Sequence, residues 1–289
     1  MVNEEVSILK NVCHDNILSM ISAYQGGNEV IVVTEFLQGG ELFEKVASDD
    51  YHLTEMQCVQ FMHQICEGVS YLHRKVCKSP FSQSIIIFHF CPFQDIVHLD
   101  LKPENVVLVS PDSNKIKIID FGFAKKLNSD AKIVRVLQGT PEFVPPEIVN
   151  YEPIGFPSDT WSIGVVAFVL LTGLSPFLGD SVQETFAKIT ANSFDFENEE
   201  FDDISLEAKS FISHLLINKM EDRLTAEECL HHPWLSLETK RVMKTLKKDN
   251  LKKFLARRRW QRGAQAVLAL KRIVSASVIK TDDLSSDSE

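Results

Sequence analysis

Apolar residues recur at helical spacing between Thr54 and His73: Val59, Met62, Ile65, Cys66, Val69 and Leu72 share one face and predict a long amphipathic helix. The run Glu29-Val30-Ile31-Val32-Val33-Thr34-Glu35 is β-branched instead and predicts a buried strand ending at a polar hinge. Ahead of it, Val6-Ser7-Ile8-Leu9 reads as the end of a helix, so the chain opens inside a domain. Ile116 to Ile119 predicts a short strand running into Asp120-Phe121-Gly122. From there to Trp234 the pattern is mostly helical, punctuated by Thr172-Gly173 and Ser175-Pro176. The longest apolar run, Ile163 to Leu171, is far shorter than the ~18 to 20 residues of a bilayer span and reads as a buried core helix.

Composition changes this picture little. With 44% hydrophobic and 24% charged residues over 289 positions, the chain can bury a sizeable core and is neither fibrous nor wholly disordered. The six cysteines (Cys13, Cys58, Cys66, Cys77, Cys91, Cys229) form no C-x-x-C pair and read as reduced, mostly buried thiols. The opening residues lack a charged and then apolar secretory pattern, which makes the cytoplasm the expected compartment. Charge is more informative. Leu251 to Ile273 holds eight basic residues and no acid, so a net −10 for the whole chain leaves −18 for the rest. An acidic body with a basic tail favours docking of that tail or an acidic partner for it, and argues against nucleic acid as a partner of the whole; no membrane partner is expected, since no apolar run is long enough to span a bilayer.

The decisive constellation is His98-Leu99-Asp100-Leu101-Lys102-Pro103-Glu104-Asn105, followed fifteen residues later by Asp120-Phe121-Gly122. It resembles a protein-kinase catalytic loop and metal motif. Phosphoryl transfer needs a carboxylate to orient the attacking hydroxyl and oxygen ligands for the divalent ions that neutralise phosphate. The resemblance assigns the first role to Asp100 and the second, towards Mg²⁺ and ATP, to Asn105 and Asp120. Lys102 lies near the transferred group, as in serine/threonine-type enzymes.

The resemblance runs from about Glu5 to Trp234 and into the tail. Gly39-Gly40-Glu41-Leu42-Phe43, Asn150-Tyr151-Glu152, Leu174-Ser175-Pro176-Phe177-Leu178-Gly179 and His232-Pro233-Trp234 carry it towards the calcium/calmodulin-dependent kinase group, most closely the myosin light chain kinases, with the death-associated kinases as near relatives. It implies a structural pairing of Glu147 with Arg223, a bracing role for Asp159, a nucleotide hinge at Glu35, Leu37 and Glu41, and contacts of Glu41 and Glu104 with basic residues of a protein substrate. For these two glutamates, and for the acidic run Asp195 to Asp203, a solvated surface is the alternative. Leu99 stands where many kinases place an arginine that answers a phosphorylated activation loop, so control is expected from elsewhere.

The C-terminal segment offers that control. Trp260, Ala264, Val267 and Ile273 occupy positions 1, 5, 8 and 14 of an anchor series on a basic helix bearing Arg257, Arg258 and Arg259, as in calmodulin targets. The stretch Leu251 to Arg262 resembles the autoregulatory tail of the myosin light chain kinases. A membrane-surface helix or a plain solvated helix are the rival readings.

Two departures qualify the family expectation. The glycine-rich loop and the strand lysine are missing from this sequence, leaving Glu5 without the lysine it is expected to pair with; an N-terminally truncated chain is the expectation. Between His73 and Ile96 stand 22 residues where the family has a few, with the apolar core Ile85-Ile86-Ile87-Phe88-His89-Phe90. The expected architecture is therefore α+β, a protein-kinase-like two-lobed fold: an incomplete N-terminal lobe over 1–37, a mostly helical lobe over 38–235 with an atypical insertion at 74–95, an autoinhibitory and calmodulin-binding segment over 236–273, and a disordered acidic tail over 274–289. The expected reaction is ATP-dependent phosphorylation of serine or threonine, with calmodulin as partner and myosin regulatory light chain as the implied substrate. A catalytically inactive, calmodulin-binding scaffold is the alternative.

Overall fold

From Thr160 to Thr172 the chain carries no charged side chain, and helix α5 (Phe156–Thr172) is buried on every side from Ser158 onward. A helix that is apolar all round has no face to offer water and becomes the axle of a core. Gly173 ends it at φ +71, where a Cβ would also collide with the Leu251 main chain. The computed structural model describes residues 2–27, 29–74, 95–127, 139–236 and 244–285. Most of the predicted insertion lies outside these residues, as do Cys77 and Cys91.

Around α5 pack α3 (Glu55–His73) and α7 (Leu206–Leu215), with α8 (Ala226–His231) against α3. Helix α3 starts at Thr54, whose hydroxyl accepts from Gln57 N while Gln57 Oε1 accepts from Thr54 N at 2.8 Å, a reciprocal cap. Its predicted apolar face is buried, and so are Cys58, Phe61 and Tyr71, because neighbours enclose it on more than one side. Cys66 and Cys229 are buried too, whereas Cys13 is exposed. Glu55 at the start of α3 receives Trp234 Nε1 at 2.9 Å and the Ser205 amide at 3.0 Å, joining three distant segments.

At the other end, α1 (Val2–Leu9) precedes an antiparallel hairpin of β1 (Met20–Gly26) and β2 (Glu29–Thr34), in register from Ser22 opposite Val33 to Gly26 opposite Glu29, with an irregularity between Ser22 and the Met20–Thr34 pair. The sequence predicts β2 as a buried strand. It is exposed instead, Ile31 to 58%, because β1 is its one ladder partner among the described residues. The root of the hairpin is tied to the larger lobe: Leu18 N donates to Ile118 O at 3.0 Å and Ile118 N to Asn16 O at 2.8 Å.

Ile118 closes a second hairpin, β4 (Val106–Leu108) with β5 (Ile116–Ile118), which leads into Asp120. Short strands β3 (Ile96–Val97) and β6 (Lys125–Lys126) pair across the same region and frame the loop at 98–105. The lobe also carries α2 (Leu42–Ala47), α4 (Pro146–Val149) and α6 (Val182–Ala191).

The basic tail returns to this body. Leu246 N donates to Leu53 O at 2.8 Å, and α9 (Asp249–Ser285) then buries Leu251, Phe254 and Leu255 in the main core. The sequence places a disordered tail from 274 onward, but α9 continues to Ser285. No glycine or proline interrupts Ala264 to Ser285, and an established helix extends at little cost per residue. Among the described residues no helix is long and apolar enough to cross a membrane.

Candidate active site

The loop at 98–105 owes its shape to one buried carboxylate. Asp159, in the first turn of α5, accepts the main-chain N–H of His98 (Oδ2, 2.8 Å) and of Leu99 (Oδ1, 2.8 Å), and His73 Nε2–H donates to its Oδ2 at 2.8 Å. Burial alone would raise the Asp159 carboxyl; the bond and charge of His73, with those of His98, hold it below the usual carboxylate range. The brace has a local cost to offset, because Leu99 sits at φ +64, where a side chain is strained by about 1 kcal/mol or more. His98 is itself enclosed, reaching the Ile119 carbonyl at 3.2 Å, and burial pushes its imidazole below the ordinary value.

On this frame Asp100 is held by one oxygen only. Its Oδ2 receives Lys102 Nζ at 2.5 Å and Asn105 Nδ2 at 3.1 Å, while its buried Oδ1 has no partner among the described residues. A buried carboxylate oxygen left unpaired is costly unless a ligand group completes it. Asn105 spends its amide N–H on Asp100, at 2.8 Å to the carbonyl and 3.1 Å to the carboxylate, so its own Oδ1 remains available. Ile119 N donates to Asn105 O at 2.9 Å, which sets Asp120 beside it; among the described residues Asp120 accepts one bond, from Gly122 N at 3.2 Å. Two free hard oxygens, one amide and one carboxylate, are the donor set that magnesium prefers.

Glu147 and Arg223 pair through two parallel bonds of 3.0 and 2.8 Å, both buried. Arg223 places its remaining N–H groups on the Ile217, Pro157 and Asn218 carbonyls, so its full donor set is satisfied. Glu5 stands differently. No ion pair or hydrogen bond engages it among the described residues, and burial together with the charge of Asp120 raises its carboxyl. Its neighbour Glu4 pairs with Lys125 at 2.6 Å.

The surface beside Asp100 is covered by α9. Arg258 donates to Glu104 (Nε 2.7 Å), Arg257 to Glu142 (2.7 Å) and Arg262 to Glu41 (2.9 Å), while Arg259 grips Glu44 through Nε and Nη2. Arg258 also stands over the Phe143 ring. Sequence reasoning names Glu41 and Glu104 as receivers of basic residues; Glu44, Glu142 and Arg262 complete the set. Glu44 follows Glu41 by three residues, one helical turn on, which is the signal that could have found it. The acidic run at 195–203 receives the first turn of α9 and the segment before it rather than its arginines: Asn250 bonds Glu200 and Lys244 pairs with Asp203, both at 2.5 Å. Between α9 and the lobe remains a cleft of about 840 Å³ that includes Lys102, Asn105, Thr140, Trp260 and Leu268 in its walls.

The apolar anchors on α9 are largely left to solvent, although Trp260 and Ala264 border the cleft. Trp260 is 75% exposed and Val267 53%, with Ala264 half-buried; the Ile273 side chain lies outside the described ones.

Residues 1–235 match the model of the family described as "Protein kinase domain". Smooth-muscle myosin light chain kinase of chicken (Gallus gallus) is 44% identical over 279 residues, 96% of this chain and 14% of the relative. Human myosin light chain kinase family member 4 is 45% identical over 235 residues, 81% of this chain and 55% of the relative. Among solved structures, the twitchin kinase region from C. elegans superposes with a TM-score of 0.78 at 31% identity, covering 88% of this chain and 42% of that one. The autoinhibited serine kinase domain of titin gives 0.76 at 30%, covering 88% and 73%. The chain thus spans about one seventh of the first of these curated relatives and little over half of the second.

Proposed function

This chain belongs to the protein kinase family, and from that premise we propose that it transfers a phosphoryl group from ATP to serine or threonine as a kinase of the myosin light chain kinase type. The observation that carries the reading is the divided environment of Asp100. With Oδ2 fixed by Lys102 and Asn105, the unpaired Oδ1 is set to accept the hydrogen of a substrate hydroxyl and aim its oxygen. Lys102, poised on the same carboxylate, is within reach of charge developing on the transferred group. Asn105 and Asp120 would hold Mg²⁺, which when bound neutralises the phosphates. Glu35, Leu37 and Glu41 line the segment proposed for the nucleotide.

Four glutamates that now hold four arginines favour a protein substrate with basic residues around its serine or threonine. The relatives' names suggest myosin light chain as that substrate; the cytoplasm is the proposed place of action. In the docked state α9 occupies that surface, so it is autoinhibitory. Calcium-loaded calmodulin is the proposed release partner, because an acidic protein with apolar clefts suits a basic helix that displays Trp260 and Val267 to solvent.

Glu5 favours a second reading, a calmodulin-binding scaffold without phosphotransfer, since a kinase needs a cation opposite that carboxylate and none faces it among the described residues. Phosphate transfer to a basic serine peptide, with and without calcium-calmodulin, separates the two when Asp100→Asn serves as control. Transfer that needs calmodulin and falls ~100-fold or more in the control supports the kinase. Calmodulin binding without transfer supports the scaffold.

A further inference from the structure

The segment joining β2 to α2 is stitched at both ends and open in the middle. Glu35 N donates to Ser19 O at 3.1 Å and Ser19 N returns a bond to Glu35 Oε1 at 2.7 Å; at the far end Gln38 N reaches Val109 O and Gly39 N reaches Leu108 O. Between the stitches, no hydrogen bond among the described residues engages the Glu35 carbonyl or the Leu37 N–H, and Phe36 is 82% exposed. An acceptor and a donor two residues apart on extended backbone can pair with the edge of a purine.

What fixes this edge comes from an unexpected side. Lys117 belongs to β5, the strand that runs on to Asp120, yet its Nζ lies 2.8 Å from Glu35 Oε1 and donates to the Ile17 carbonyl at 3.0 Å. The residue is buried, and a buried ammonium is tolerated only where oxygen acceptors replace its water. One cation therefore joins three segments: the approach to β1, the open edge and the strand bearing a proposed metal ligand. Burial alone would raise the Glu35 carboxyl, but the bonds from Lys117 and Ser19 hold it below the ordinary range, so that carboxylate stays ionised.

We propose that Lys117 is a positioning residue for the nucleotide: by holding Glu35 it sets the main-chain edge that reads the base, and it ties that edge to the strand delivering Asp120. The proposal rests on the nucleotide site described under the proposed function. Lys117 touches no reacting atom in this scheme; it acts through Glu35. Removing its charge frees the Glu35 side chain and loosens the edge.

Calorimetric titration of the full chain with adenosine and with Mg-ATP tests it, on the parent and on Lys117→Met, Lys117→Arg and Glu35→Gln. Lys117→Met and Glu35→Gln each weaken both ligands by about tenfold, the double variant is no weaker than either single one, and Lys117→Arg recovers most of the affinity. Adenosine has no phosphates, so its loss reports on the base-reading edge. Unchanged adenosine affinity in both charge-removing variants overturns the proposal, as does a loss confined to Mg-ATP, which would put the lysine on the phosphate side. If Lys117→Met does not fold, the isosteric Glu35→Gln decides by the same criterion. A parent chain that binds neither ligand overturns the nucleotide site itself, and with it this proposal.

Discussion

The two halves of α9 meet the protein in opposite ways. Its first turns bury Leu251, Phe254 and Leu255 and then spend four arginines on four glutamates; farther on, Val267, Leu268 and Leu270 stand more than half exposed, as Trp260 does between them. The lobe thus holds the helix by an apolar foot and by charge, and leaves the large apolar residues to solvent. A partner that takes apolar side chains can engage the outer half while the inner half is still docked. Release then needs only the exchange of one set of acidic groups for another.

Removing the charge grip gives the largest effect. Replacing Arg257, Arg258 and Arg259 together with glutamate is expected to undock the helix, because like charges then face Glu142, Glu104 and Glu44, and to weaken calmodulin binding by about two to three orders of magnitude, roughly 3 to 4 kcal/mol, because the same reversal opposes an acidic partner. Anisotropy of labelled calmodulin reads this directly; wild-type affinity would mean that the arginines do not face the partner.

The foot comes next. Phe254→Ala, at 4% exposure, is expected to cost roughly 3 kcal/mol in urea unfolding, whereas Val267→Ala stays within about 0.5 kcal/mol. Equal effects would erase the contrast between the two halves. Trp260→Ala sharpens it further, leaving stability unchanged within ~0.5 kcal/mol but weakening calmodulin by roughly 2 kcal/mol, as anchor residues do.

Acid gives the smallest effect and falls on the lobe, since the arginines keep their charge. His98 has a lowered folded pKa, so below its unfolded value near ~6.5 the unfolded chain binds a proton that the native one refuses, and stability falls as pH drops. Asp159, with a lowered carboxyl, keeps its contribution until pH falls below the unfolded carboxylate value and on through the folded one. Urea midpoints at pH 7 and 5.5 are expected to differ less in His98→Gln than in the parent; identical slopes would place the proton uptake on other groups.

Much of the site is legible in sequence because chemistry fixes its spacing. Asp100, Lys102 and Asn105 lie on one short loop, and a single hairpin, β4 with β5, separates them from Asp120, so linear distance carries the geometry. Asp159 and Arg223 are legible only through family resemblance, since their partners stand far away in the chain. Glu44, Glu142 and Lys117 escape because their roles depend on what docks against them. Strand β2 fails in a different way: β-branched residues give its conformation correctly, but burial depends on neighbours that its own pattern does not encode. The extent of α9 was hidden because polar composition argues against burial and not against helix.

The most direct test of the central claim, that α9 occupies the substrate surface and yields it to calmodulin, is the affinity of the full chain for a labelled basic serine peptide, titrated with and without calcium-loaded calmodulin. The account predicts weak binding that tightens at least ~10-fold when calmodulin is added, a shift of about 1.4 kcal/mol. Equal affinity in both conditions would contradict it.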